Sequence, residues 1–415
     1  MKTLLKTSVL ERFLRYVTYD TQSDPNSTTI PTTAKQLVLL DVLVEELKAL
    51  GLADAARDEV GIVMATFPSN SKKKVPVIGL LAHVDTSPEM SGANVKPIVH
   101  EGYTGGDIVL PDDRSAVIRA EENPELAAKR GEDVVTASGT TLLGADDKSG
   151  VAVVMALMQY LKEHPEVPHG TIRVGFTPDE EVGRGVRRFD VKRFGAHCAY
   201  TLDGAALGTY ECETFSADAM NVIFQGFNTH PGFATGKMVN SIKVAADFLN
   251  RLPKNGLAPE TTADREGFVH PNTFEATVDR TTVKFIIRDF VTAGLAEKEA
   301  LLEKLARATV ADWPGSSVTV EVKPTYRNMR EVLDKHPEVV ANAREAISRA
   351  GMEPVMTSIR GGTDGSILSE MGLPTPNLFT GQHNFHSRLE WITVQDLERS
   401  VETCLELVKL WEEKA

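Results

Sequence analysis

Three stretches of the chain are apolar without alternation and close on polar residues: VPVIGLLAHVD (75–85), TIRVGFT (171–177) and CAYTLDG (198–204). Unbroken apolar runs of this length fit strands covered on both faces, as in parallel α/β sheets. VAVVMALMQYLKEH (151–164) lies between them and predicts a helix, as do 8–16 and 33–50, the latter with Leu37, Leu40, Leu47 and Leu50 near helical spacing. A strand-helix-strand alternation implies a doubly wound α/β domain.

The pattern changes after about residue 212. FSADAMNVIFQG alternates like a half-exposed strand, and KMVNSIKVAADFLNRLP is an amphipathic helix. FVHPNTFEATVD and TTVKFIIRDF predict a hairpin, AEKEALLEKLARATVADW a helix, and SSVTVEVKP a strand. The order β-α-β-β-α-β is that of the ferredoxin-like unit. From about 330 the first pattern resumes, with a helix at 336–350, strands near 355–359 and 376–380, and a C-terminal helix at 393–413. The expectation is an α/β main domain with a mixed sheet (1–212 and 328–415), interrupted by an α+β ferredoxin-like domain at 213–327.

A length of 415 residues suits two domains, and 42% hydrophobic with 25% charged residues suits a packed core. Lys and Arg number 45 against 58 Asp and Glu, a formal charge of −13. No basic face is left over for nucleic acid or an anionic membrane, whereas the surplus suits a site that gathers cations. MKTLLKTSVLERFLRYV is broken by Lys6, Glu11, Arg12 and Arg15, unlike a signal peptide, and VAVVMALMQYL is too short to span a bilayer. Three widely spaced cysteines, Cys198, Cys212 and Cys404, give no disulfide framework, so the expected location is the cytoplasm.

The polar residues cluster where the buried strands end, which is where ligands sit in open α/β sheets. LLAHVD places His83 and Asp85 two apart, on one face of a strand. TLLGADDKSG carries Asp146 and Asp147, TPDEEVG carries Asp179, Glu180 and Glu181, YTLDG carries Asp203, and GQHNFHSRLEW carries His383 and His386. Asp146, Asp147 or Asp179 could each cap a helix, a contribution of about 1 kcal/mol. Capping does not explain five strand ends that all close on a His or a carboxylate. Divalent cations relieve such a cluster and use these nitrogen and oxygen ligands. With no cysteine among the candidates, the set suits a hydrolytic metal site. Of the paired glutamates, one can bind a metal and the other can stay free to accept a proton. Two ions sharing a carboxylate would lie about 3.5–4 Å apart.

Together HVDT, LLGADDKSG, TPDEEVG, TLDG, HPG, RGGTDGS and NFHS resemble the di-zinc aminoacylase/carboxypeptidase metallopeptidase superfamily, from about residue 10 to the C-terminus. The resemblance implies two Zn2+ per chain, which Co2+ or Mn2+ can replace. It implies His83 and Asp203 on one ion, Glu181 and His386 on the other, and Asp146 bridging. His386 is preferred over His383 because it directly precedes the Ser of NFHS. Asp85 would orient His83, and Glu180 would be the general base. His230, in NTHPG, would reach the reacting carbonyl or the peptide carboxylate. Arg360, in SIRGGTDG, would clamp a carboxylate. Arg288 is a third candidate contact, with a surface ion pair as its plain alternative. Asp147 and Asp179 keep turn and cap roles. The implied activity is release of the N-terminal residue from tripeptides. A dipeptidase, carboxypeptidase or N-acyl amino acid deacylase on the same scaffold is the alternative. The implied partner is a small peptide, and a homodimer through the inserted domain is compatible.

Overall fold

A computed structural model of the chain describes residues 5–415, so the first four residues of the N-terminal stretch read above lie outside the described residues. The chain forms two compact units. The larger runs to Cys212 and resumes over Val332–Thr357 and Thr363–Ala415; the smaller comprises Glu213–Glu331 with Ser358–Gly362.

An eight-stranded mixed sheet forms the centre of the larger unit. Its order is Ala56–Arg57, Val63–Phe67, Ile172–Thr177, Ile78–His83, Cys198–Gly204, Asn377–Phe379, Thr209–Thr214, Val355–Ile359. The apolar runs are its middle strands, and the Ile78–His83 strand is buried at every residue. It pairs in parallel with Ile172–Thr177 in a register that sets His83 beside Thr177. The residues following both strands therefore leave the sheet at the same carboxyl end. The helix Ala145–Glu163 packs on Ile78–His83 and Cys198–Gly204, with the helices Val9–Tyr16 and Val394–Glu413 against it. Gly150 makes this approach possible, since a Cβ there would meet the Leu202 carbonyl oxygen at 2.1 Å. No helix among the described residues is long and apolar enough to cross a membrane.

The stretch 86–141, to which the hydrophobic pattern assigns no element, folds into short pieces. Ile98–His100, Val134–Thr136 and Trp391–Thr393 form a three-stranded sheet, and Ile108–Val109 pairs with Val117–Ile118. Strands of two or three residues are too short to show a period.

The smaller unit has one antiparallel sheet in the order Phe268–Ala276, Arg280–Asp289, Ser216–Gln225, Ser317–Tyr326. Helices Ser241–Asn250 and Thr292–Asp312 close one face over Val222, Phe224, Phe248, Val283, Phe285 and Leu302. This is the ferredoxin-like order, but the unit extends beyond 213–327. The Asn328 side chain accepts from the Thr214 N–H at 3.1 Å and donates to the Phe290 carbonyl at 2.9 Å, which holds 328 to this unit. Arg360 also belongs to it, although the sequence reading put 328–415 in the main domain. The Phe215 N–H donates to the Ile359 carbonyl at 3.1 Å, and the Arg360 guanidinium donates to the carbonyls of Asp264 and Glu266 at 2.8 and 2.9 Å.

Candidate metal centre

His83 closes its strand with its ring fully inside the larger unit. Its Nε2 lies 3.1 Å from Asp146 Oδ1 and 3.6 Å from Asp203 Oδ1. The other oxygen of Asp146 turns the opposite way, 3.3 Å from Nε2 of His386, which is also 2.9 Å from Glu181 Oε2. One carboxylate thus faces two groups of ligand-type atoms. His383 turns elsewhere: its ring stacks on Trp391 at 4.0 Å and 11°, and its backbone bridges to the same residue. His386 reaches the cluster from a left-handed backbone (φ 61°).

Asp85 does more than orient one imidazole. Its Oδ1 lies 3.3 Å from His83 Nδ1, although the Asp85 carbonyl is nearer at 3.1 Å. The same carboxylate accepts the N–H of Glu180 at 2.9 Å and of Glu181 at 3.2 Å. It fixes the turn that presents both glutamates.

Asp147 groups with His83 and Asp203 by distance alone. Its oxygens are already in use, one accepting the His83 N–H at 3.1 Å and the other the Gly150 N–H at 3.2 Å. It caps the regular part of its helix and anchors the strand end, and Asp146 remains the better placed ligand. Asp179 is not a helix cap: its buried carboxylate takes hydrogen bonds from Thr32 and from Gln36 Nε2, tying the glutamate turn to the helix Gln36–Ala49.

Two buried acids lie outside the sequence reading. Glu390 accepts the N–H groups of Leu143, Gly144 and Asp146 at 2.7, 2.7 and 2.9 Å and so shapes the loop that carries Asp146. Asp364 accepts from Thr177 Oγ1 at 2.8 Å. Glu390 stands in GQHNFHSRLEW, four residues after His386, and Asp364 in SIRGGTDG, four after Arg360, so nearness to a motif is the one signal the sequence carries for them.

Crowding sets the protonation of this cluster. Burial pushes Glu181 up to about 8, with the Asp146 charge adding to it. Burial raises Asp203 to about 6 and Asp364 to about 7, and lifts Glu180 well above the usual range beside Asp203, Asp364 and Glu181. For His386 burial acts downward, but hydrogen bonds with Asp146 and Glu181 outweigh it and hold the ring up at about 11. Acids that resist ionising next to imidazoles that resist neutralising form the environment a divalent cation relieves. Glu181 Oε1 supports this fit, since it is buried with no hydrogen-bond partner.

The substrate candidates belong to the smaller unit. His230 is exposed, and its Nδ1 accepts the Gly232 N–H at 3.1 Å. Arg288 donates to the Arg360 carbonyl at 3.2 Å and lies over the Tyr326 ring. Arg360 also donates from Nη2 to Thr262 Oγ1 at 3.0 Å and lies over Phe215 and Phe268, so its fork is engaged within its own unit.

Histidines and carboxylates that converge at the strand ends, with no thiolate among them, are the ligand set of a hydrolytic metal site. The model of peptidase family M20/M25/M40 matches residues 117–410, and the chain belongs to this family. It is therefore a hydrolase that acts on peptides and depends on a metal. It is 48% identical over 411 residues to peptidase T of Geobacillus kaustophilus (strain HTA426), covering 99% of this chain and 100% of the relative. Peptidase T of Clostridium botulinum (strain Kyoto / Type A2) is 48% identical over 403 residues, covering 97% and 98%. Among solved structures, an aminopeptidase from Bacillus cereus ATCC 10987 superposes with a TM-score of 0.75 at 24% identity, over 97% of this chain and 98% of that one. A tripeptidase from Staphylococcus aureus gives 0.76 at 24%, over 98% of each chain.

Proposed function

We propose that this metallopeptidase releases the N-terminal residue of tripeptides and uses two zinc ions. One observation carries the metal part: Asp146 divides its oxygens between the His83/Asp203 pair and the Glu181/His386 pair. These five residues would hold the ions, and bound zinc would supply a Lewis acid and a water acidified toward neutrality. Asp85 keeps His83 oriented and the glutamate turn in place. Glu180 takes the proton of the attacking water on its carboxylate and passes it to the leaving amine. His230 is the proposed contact to the reacting carbonyl, with Arg288 and Arg360 as contacts to the peptide carboxylate. Arg360 would have to release its own unit's carbonyls to serve, which ranks it behind His230.

Substrate choice rests on the relatives. The fold is shared with a dipeptidase from Saccharomyces cerevisiae and a carboxypeptidase from Sulfolobus solfataricus, at 12% and 14% identity, so fold alone does not select among these activities. Near-full-length identity of 48% to proteins named peptidase T favours the tripeptide reading over dipeptidase, carboxypeptidase or deacylase. A reducing compartment such as the cytoplasm fits three buried cysteines, none of them in a disulfide.

The test is a matched panel on protein of known metal content: a tripeptide, its N-acetylated form, a dipeptide and a tetrapeptide. The free tripeptide should have the highest kcat/KM and the acetylated one should be poor. Preference for the acetylated peptide would make the enzyme a deacylase.

A further inference from the structure

The larger unit carries a second group of metal-ligating side chains that the peptidase reading does not use: His197, His336 and Glu338. Nε2 of His197 lies 3.4 Å from Glu338 Oε1, and Nδ1 of His336 lies 3.6 Å from that same oxygen. All three ligand atoms fall within 4.8 Å of one another. Ligands about 2.0–2.2 Å from a tetrahedral zinc are about 3.3–3.6 Å apart, which matches both distances.

The backbone beneath this group is fixed. His197 immediately precedes the strand Cys198–Gly204, and its N–H donates to the Val77 carbonyl at 2.7 Å. His336 is the N-cap residue of the helix Pro337–Arg349, and Glu338 is in the first turn of that helix. The His197 ring meets His336 and Trp411 edge-on, each at 6.0 Å between centroids, so the C-terminal helix contributes a wall. His197 is at the amino end of the strand whose carboxyl end carries Asp203. At ~3.3 Å per residue the two ends are about 20 Å apart, well outside the peptidase centre.

We propose that His197, His336 and Glu338 bind one further divalent transition-metal ion at the surface of the larger unit. Two imidazoles with one carboxylate select zinc, nickel or copper over magnesium or calcium. With 43% and 44% of the His197 and Glu338 side chains exposed, water completes the coordination. The ion clamps the start of the Cys198 strand to the Pro337 helix.

The experiment compares metal binding by the intact chain and its variants, independently of activity. The metal that co-purifies is counted first, and the protein is then titrated with Zn2+ and, separately, Ni2+ by calorimetry. Wild type should take one additional ion per chain. His336→Gln and Glu338→Gln should each weaken it at least tenfold while the co-purifying metal and the peptidase activity stay unchanged. Zinc at 100 times the fitted Kd should raise the folded-to-unfolded ratio about 100-fold in wild type and far less in His336→Gln. His197→Ala should abolish the ion; if that variant misfolds after losing its contact with Trp411, the other two decide. No additional ion in wild type, or unchanged affinity in both His336→Gln and Glu338→Gln, overturns the proposal.

Discussion

Glu180 and Glu181 are adjacent and chemically alike, yet their surroundings differ. Glu181 points one oxygen at His386 and leaves the other buried without a partner, as a metal ligand would. Glu180 is raised by burial and by the charges of Asp203, Asp364 and Glu181, and its backbone N–H is held by Asp85. Glu181→Gln should therefore weaken metal binding, and excess metal should restore part of the activity. Glu180→Gln should keep the metal and bind substrate, while kcat falls by at least about 10²–10⁴-fold because proton transfer is lost. Metal content and kcat of the two variants decide between the roles, and the opposite pattern reverses the assignment.

At the scale of elements, the centre depends on how closely the helix Ala145–Glu163 approaches the strand Cys198–Gly204. A Cβ at Gly150 would lie 2.1 Å from the Leu202 carbonyl oxygen and 2.5 Å from Asp147 Oδ1. Both contacts adjoin residues of the cluster, Asp203 and Asp146. Gly150→Ala should cost about 1–3 kcal/mol through overpacking, and it should also lower metal affinity because the forced shift falls on Asp147. Gly256, where a Cβ meets nothing within 4 Å, supplies the control. Thermal melts and metal titrations of both variants are the measurement. A Gly150→Ala protein as stable as Gly256→Ala would show that the helix can retreat from the strand.

Over the whole molecule, metal and protons compete for one cluster in a chain of formal charge −13. Without metal, Glu181 is raised to about 8 and His386 to about 11. A group raised above its unfolded value stabilises fully below that unfolded value, and the contribution fades as pH rises through the folded one. For Glu181 the window runs from about 4.3 to about 8, and for His386 from about 6.5 to about 11. Metal-free protein should therefore lose stability as pH rises from about 6.5 to 8. Metal-loaded protein should gain over the same range, because binding releases protons and affinity rises with pH. Melting temperatures of chelated and loaded protein across this range should slope in opposite directions. Parallel slopes would mean that the cluster does not hold the metal.

The sequence by itself determined the buried middle strands of the large sheet, the order of the inserted β-α-β-β-α-β unit, and the closure of those buried strands on His83, Asp203 and the glutamate turn. These follow from local period and composition, because an apolar run buried on both faces can end only where the chain meets polar surroundings. It also carried the residue types of a metal site, since ligand chemistry belongs to side chains. The family resemblance already preferred His386 to His383, three residues apart in one loop, but only the tertiary structure gave the physical reason. That choice rests on His383 stacking on Trp391 and on the left-handed turn at His386, and neither leaves a periodic signal. The same holds for Asp85 bonding a turn 95 residues away, for Glu390 shaping the Asp146 loop across 244 residues, and for Arg360 joining the smaller unit. Each rests on long-range hydrogen bonds gathered by a single side chain. The hydrophobic pattern records which face of an element is buried; it does not record which distant backbone group a buried carboxylate or guanidinium will meet there.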